Sequence, residues 1–224
     1  MKKLVRKCFI DTLPIMAGYI VLGIGFGVVL KAAGYGIGWA LAMSVFIYAG
    51  SMQYAMVGLL TGGASYITVA ITTFLVNARH LFYGMSMIER YRETGWKKPY
   101  LIFALTDETY SLVCNSNEKK EYYFLVSLFD QIYWVTGSVI GSLLGAIIPF
   151  NTDGIDFSLT ALFIVVLTDQ WLKTKNHVPA IIGLVASTIC LILCGSSSFL
   201  IPSMIVIMVL LFTMKKFCIE KEEA

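Results

Sequence analysis

Apolar stretches recur along this chain from one end to the other, at residues 12–30, 37–60, 66–88, 100–115, 122–148, 157–172, 178–195 and 198–214, with only short polar connections between them. The 224 residues are 58% hydrophobic and 14% charged, too few charges to cover eight such stretches with a hydrated surface. A bilayer removes that requirement, and helices within it satisfy every backbone N–H and C=O internally. The sequence therefore predicts an all-α integral membrane protein, a single multi-pass domain over residues 1–224. The basic start, Lys2-Lys3-Leu4-Val5-Arg6-Lys7, resembles a signal peptide, but the apolar run after it is long, contains Pro14 and lacks a small-x-small cleavage site. It is expected to stay as a first helix. The formal charge of +3 carries no signal for nucleic acid, because the basic residues sit in short loops.

A straight crossing takes ~20 residues. Segments 100–115, 157–172 and 198–214 fall short of that, and short or interrupted segments are where transporters place broken or re-entrant helices. Displacing the chain by 118 residues lays Val21, Gly23, Gly27, Gly36, Ile37 and Leu41 on Val139, Gly141, Gly145, Gly154, Ile155 and Leu159. With four segments on each side, this predicts repeat halves at 1–117 and 118–224.

Cytoplasmic loops of membrane proteins carry the excess of Lys and Arg. If all eight segments cross, five basic residues fall outside: Lys31 and Arg90, Arg92, Lys97 and Lys98. If segments two and six enter and return on one side, only Lys31, Lys119 and Lys120 do. The charge pattern thus favours about six crossings plus two broken or re-entrant segments, cytoplasmic termini and an inverted relation between the halves.

Segment one carries Gly18, Gly23 and Gly27, and segment five carries Gly137, Gly141 and Gly145. Glycines spaced four apart put a flat strip on one helix face, which lets another backbone approach closely. Cys8, Cys114, Cys190, Cys194 and Cys218 have no metal-ligand or redox spacing and read as packing residues, so neither a metal nor a cofactor is expected.

Four places carry polar chemistry at membrane depth. Tyr48-Ala49-Gly50-Ser51-Met52-Gln53 lies mid-way along segment two, where small residues permit a break. A broken helix frees backbone groups able to hold the carboxylate and ammonium of an amino acid, and Thr168-Asp169-Gln170 stands at the matching place of the other half. Asn77-Ala78-Arg79-His80 closes segment three. Arg79 is the one basic residue outside the loops and termini, and in a low dielectric it needs a carboxylate partner. Asp107-Glu108, enclosed by apolar residues one segment later, supplies it, and an intramembrane acid is by default a transport-path residue. His80 titrates in the physiological range. Asp130-Gln131 reads equally as a lumen-lining pair, a cap or an interfacial pair. Phe46, Met52, Tyr54 and Phe74 are candidates for an apolar pocket around the break.

These residues, in order, resemble the AzlC family. The resemblance rests on Asp11-Thr12-Leu13-Pro14 with Gly23-x3-Gly27, Tyr48-Ala49-Gly50-Ser51-Met52-Gln53, Asn77-Ala78-Arg79-His80 with Tyr83-Gly84, and Leu105-Thr106-Asp107-Glu108. Ala78 stands where the family pattern has leucine. The resemblance implies a bacterial inner-membrane permease that exports branched-chain amino acids with a small AzlD-type membrane partner. It carries over substrate-binding or charge-pair roles to Gly50, Ser51, Gln53, Asn77, Arg79, His80, Asp107 and Glu108. No phosphate-binding loop occurs, so any driving force is expected from an ion, with Asp107, Glu108 and His80 as candidates. Two other classes compete: a non-transporting assembly subunit, and an intramembrane serine protease using Ser51 and His80.

Overall fold

The computed structural model describes residues 2–114, 116, 118–147, 164, 167–168, 171–172, 176–195 and 199–222. All regular structure among them is helical. The elements are α1 (Lys2–Ala32), α2 (Ile37–Phe46), α3 (Gly50–Thr61), α4 (Tyr66–Asn77), α5 (Arg79–Tyr91), a 3-10 turn at Gly95–Lys97, α6 (Lys98–Phe103), α7 (Asp107–Val113), α8 (Lys120–Ile147), α9 (Val178–Cys194) and α10 (Leu200–Glu222). The chain divides into two compact units, Met1–Leu159 and Thr160–Ala224. In the second, α9 and α10 pack on each other. Most of segment six lies outside the described residues, including Asp169 and Gln170 of the expected counterpart to Gln53.

The surface is more apolar than that of a water-soluble protein, and the interior holds polar side chains among the apolar ones. Thr12, Ser44, Gln53, Thr109, Ser127, Asp130, Ser138 and Ser142 are buried, while Val21, Phe46, Ile67, Phe74 and Ile147 are among many large apolar side chains that face outward. That arrangement suits a hydrocarbon surrounding, where polar groups must turn inward to find partners. By length and composition α1 and α8 can each cross a membrane.

α1 and α8 form the scaffold of the first unit, and the two glycine strips are what joins them. A Cβ on Gly23 would lie 2.9 Å from the Trp134 carbonyl oxygen, and one on Gly137 2.7 Å from that of Ile20. A Cβ on Gly27 would run into the Ser138 carbonyl, and one on Gly141 into that of Ile24. The backbones touch, and only hydrogen fits between them.

The contacts along this seam climb both helices together. Phe9 meets Phe129, Thr12 meets Tyr133, Gly23 meets Gly137, and Lys31 meets Gly145. α1 and α8 are therefore parallel, and this corrects two expectations. An inverted relation between segments one and five requires them to run antiparallel, which they do not. The loop before α8, expected on the far side, lies at the same end as the N-terminus. Lys7 pairs with Glu118, Lys120 with Glu93 at 2.8 Å, and Arg90 donates to the Ser116 carbonyl. Lys120 also holds the exposed Glu93 carboxyl below its ordinary range. Beneath these pairs Cys8, Met87, Tyr91, Leu101, Tyr122, Tyr123 and Val126 form a buried cluster at that end.

The physical reason is the shortness of segment four. It is split into α6 and α7 around Ala104–Thr106, and helices of 6 and 7 residues reach only about 10 Å each. Segment four enters from the end that holds Glu93 and returns to it. As a result Lys119 and Lys120 join the N-terminal and Arg90–Lys98 clusters at one end of this unit, and Lys31 stands at the other end of α1.

Candidate functional site

Segment two is interrupted between Phe46 and Gly50. The last turn of α2 widens, with Ile47 and Tyr48 both donating to the Met43 carbonyl. Tyr48 then adopts φ 44°, the left-handed region, and is the one non-glycine residue among those described to do so. Such a conformation costs about 1–3 kcal/mol and persists only where the surroundings enforce it. Here Tyr48 is buried, with its ring 6.2 Å from that of Phe103. The break therefore turns on Tyr48, whereas Gly50 serves a different need: a Cβ there would lie 2.8 Å from the Trp134 ring.

Polar side chains brace the interruption. The fully buried Gln53 donates to Ser44 at 3.2 Å and accepts from Trp134 Nε1 at 2.9 Å, tying α2, α3 and α8 together. Gln131 donates to the Val45 carbonyl in the last turn of α2 and accepts from the Tyr100 hydroxyl. Beyond the break, the Tyr54 hydroxyl donates to the Leu22 carbonyl and its ring meets that of Phe26.

The second interruption, Ala104–Thr106, comes up against the first. Thr106 caps α7 by accepting from Thr109 N. Asp107 and Glu108, in the first turn, take different partners. Asp107 Oδ2 lies 2.5 Å from Arg79 Nη1, and Arg79 Nη2 donates to Ser51 Oγ at 3.2 Å. Arg79 stands at the start of α5, where only Ala78 separates it from α4. Glu108 Oε2 lies 2.7 Å from the Tyr19 hydroxyl, which is also 2.7 Å from Thr106 Oγ1. Arg79 thus selects Asp107, and Glu108 belongs to a separate hydroxyl network.

Ser51, Arg79 and Asp107 converge, with Asn77 two residues away at the end of α4. His80 stands aside: its Nδ1 is 3.2 Å from the Asn77 carbonyl and its ring meets Tyr83 edge-on. The expected apolar pocket does not assemble. Met52 and Tyr54 are core residues, whereas Phe46 and Phe74 are 78% and 63% exposed. A cleft lined by Lys2, Val5, Arg6, Phe9 and Phe129 contains none of the predicted site residues.

Three enclosed polar atoms of these residues make no hydrogen bond: Arg79 Nε and Asp107 Oδ1 at the ion pair, and Asn77 Oδ1 at the end of α4. They are one donor and two acceptors. Enclosed polar groups are nearly always paired, so a cluster of unpaired ones calls for an explanation.

Comparison with known proteins bears on what such a cluster serves. Residues 14–148 match the pattern that defines the AzlC protein family. A Bacillus subtilis protein, the branched-chain amino acid transport protein AzlC, is 42% identical over 216 residues, covering 94% of this chain and 85% of its own. The chain belongs to the AzlC family. It is also similar to an uncharacterized membrane protein of Helicobacter pylori, 39% identical with 96% of each chain covered. The inner membrane protein YgaZ of Escherichia coli is 29% identical, covering 74% of this chain and 73% of its own. No solved structure matches. As a member of the AzlC family the chain is a transport-related membrane protein.

Against that background the protease reading finds no geometry: Ser51 Oγ accepts from Arg79 and His80 faces the Asn77 carbonyl, so the two are not hydrogen-bonded. In this AzlC-family chain the structure settles Asp130, which reads three ways in the sequence, and adds Tyr19 and Thr109 to the polar interior. Asp130 is fully buried and accepts from Thr109 Oγ1 at 2.7 Å. A signal was present: Asp130, Trp134, Gly137 and Gly141 recur at helical spacing, which puts the acid on the same inward face as the glycine strip.

Proposed function

We propose that this chain is the large subunit of a secondary transporter that exports branched-chain amino acids across the bacterial inner membrane. In this reading it works with a small AzlD-type membrane subunit and couples transport to an ion. The observation that carries the reading is the chemistry of the unpaired Arg79 Nε and Asp107 Oδ1 within the ion pair, with Asn77 Oδ1 also unpaired at the end of α4. A zwitterion brings a carboxylate, which takes Arg79 Nε–H, and an ammonium, which takes Asp107 Oδ1 and Asn77 Oδ1. Ser51 Oγ accepts from the same guanidinium. Gln53 supports the break from behind, its amide engaged with Ser44 and Trp134. The substrate class follows the Bacillus subtilis relative. Because apolar contact discriminates side chains differing by one methylene by only ~1–3 kcal/mol, valine, leucine and isoleucine should overlap as substrates.

In the same proposal α1, the α4–α5 pair and α8 cross the bilayer, while α2–α3 and α6–α7 enter from opposite sides and return, so that their breaks meet. The N-terminus, the Arg90–Lys98 loop and the Glu118–Lys120 loop are then cytoplasmic, in keeping with their basic residues. Cysteines introduced at Thr94 and Glu118 should resist an impermeant reagent added outside the cell, and modification at Glu118 would refute the re-entry of segment four.

The functional test is radiolabelled valine and leucine flux in vesicles containing this chain, with and without its small partner. Saturable movement of both is expected when the two are present together. No movement in either preparation would leave the assembly-subunit reading in possession.

A further inference from the structure

Outside the ion pair, the first unit contains an unbroken row of oxygen atoms that ends in two acids. Glu108 Oε2 is 2.7 Å from the Tyr19 hydroxyl, which is 2.7 Å from Thr106 Oγ1. Thr106 Oγ1 is 3.1 Å from Thr109 Oγ1, which is 2.7 Å from Asp130 Oδ2. Glu108 is half-buried at one end, and Asp130 is fully buried at the other. Every intermediate atom is a hydroxyl, able to accept one proton and donate another. The row joins α1, α6–α7 and α8, and it runs beside the break in segment two.

We infer that this row is a proton relay, in which Glu108 and Asp130 share one proton through Tyr19, Thr106 and Thr109. The inference rests on the ion-coupled reading above and specifies its ion as the proton. In one state Glu108 holds the proton and donates to Tyr19, which donates to Thr106, Thr106 to Thr109, and Thr109 to the Asp130 carboxylate. In the transfer each donor O–H bond breaks as the next forms, so four bonds break and four form. Each hydroxyl ends neutral with its hydrogen facing the other way. The net change is one proton moved, leaving a Glu108 carboxylate and an Asp130 carboxylic acid. Both states use all four contacts, so neither leaves a hydroxyl without a partner.

The surroundings suit a shared proton rather than two fixed charges. No cation pairs with Asp130 or Glu108 among the described residues, since Arg79 is committed to Asp107. Asp130 Oδ1 is enclosed without a partner. Two bare carboxylates in one apolar interior would repel each other and be costly to hold there. The titratable groups within electrostatic reach of Asp130 from its neighbours are Tyr48 at the segment-two break, Tyr100 on α6 and Glu108 on α7. None of them supplies a positive charge, and Glu108 in turn faces Tyr19 on α1, Tyr48, and on α5 Tyr83 and His80, whose Nδ1 is engaged with the Asn77 carbonyl. Asp130 also adjoins Gln131, which holds the last turn of α2, so a proton arriving at Asp130 reaches the brace of the break.

The test combines transport and infrared measurements on the full chain, with its partner if required, in liposomes. Wild type should show both valine–valine exchange and net valine flux that follows an imposed pH gradient. Thr109→Val removes one link without changing shape. It should reduce the gradient-driven flux by about tenfold or more, the factor that losing one hydrogen-bonded link corresponds to. Exchange should persist, and Thr109→Ser should restore both. If Thr109→Val does not fold, Tyr19→Phe interrupts the same row at another element. Gradient-driven flux at the wild-type level in a folded Thr109→Val or Tyr19→Phe variant overturns the relay.

A wild type that moves no valine in either assay defeats the transport reading. The relay is then decided by the carboxylic C=O bands of the purified protein followed against pH. Asp130→Asn should shift the titration of Glu108, and Thr109→Val should abolish that dependence. Independent titration of the two acids in the wild type overturns the relay.

Discussion

The seam between α1 and α8 and the junction of the two interrupted segments lie side by side, yet they are built on opposite terms. In the seam, backbone meets backbone at glycine, with no room for an extra carbon. At the junction, helices stop, a tyrosine takes a left-handed conformation, and polar atoms are enclosed without partners. Packed interiors do not deform continuously, so a seam of this kind behaves as a rigid frame. Interrupted helices have groups to offer a ligand and room to rearrange. A transporter of this size needs both, and this chain allots them to different segments.

If that contrast is right, substitutions in the seam should act on folding and substitutions at the junction on flux. The largest effect is expected for Gly27→Leu or Gly141→Leu, which forces side-chain carbons into a carbonyl of the facing helix. Overpacking of this kind costs ~3 kcal/mol or more, and size-exclusion chromatography should show aggregated or absent protein. A monodisperse, active Gly141→Leu would show that the seam is not rigid.

Asp107→Asn comes next. Breaking one side of a fully buried ion pair costs ~3–5 kcal/mol. Because Arg79 and Asp107 side chains are 35% and 26% exposed, about 1–3 kcal/mol is expected in thermal or denaturant unfolding. Amino-acid flux should fall far more than that loss of stability explains. Pairing it with Arg79→Gln should recover stability and leave flux absent. Recovered flux in the double variant would mean that the charges serve folding alone.

Gln53→Ala removes the brace and leaves the buried indole N–H of Trp134 without its acceptor, a cost of ~1–3 kcal/mol. Valine, leucine and isoleucine transport should decline together, because the break serves the end these substrates share. A change of preference among the three with total flux preserved would place Gln53 at the side-chain end instead.

The smallest effect is expected for Glu118→Gln. Its pairing with Lys7 joins two partly exposed, solvated groups. Isolated exposed pairs contribute little, and flux and melting temperature should match wild type. A clear loss would give the charged end of the bundle a part in transport.

Much of the junction was legible along the chain because it rests on residue types that a membrane interior penalises. Arg79 required a carboxylate, and Asp107 and Glu108 were the acids one segment away. Gly50 and Gln53 marked segment two for interruption. The partition between the two acids was not legible, since it depends on Tyr19 reaching Glu108 across 89 residues. Tyr48 as the left-handed residue was hidden too, because backbone strain in a non-glycine residue is imposed by its surroundings and has no local signature.

The sequence by itself determined a helical membrane protein with glycine strips on its first and fifth apolar segments and an arginine, set in apolar sequence away from the basic clusters, in need of an acid. These follow from composition, periodicity and the cost of polar groups in hydrocarbon, all of which act locally. The tertiary structure decided that α1 and α8 lie parallel, that segment four returns to the end it entered from, and that Asp130 closes a row of hydroxyls. Charge counts weigh loops one at a time. The orientation of a segment is fixed by pairings such as Lys7 with Glu118, 111 residues apart, and those exist only once the helices have packed.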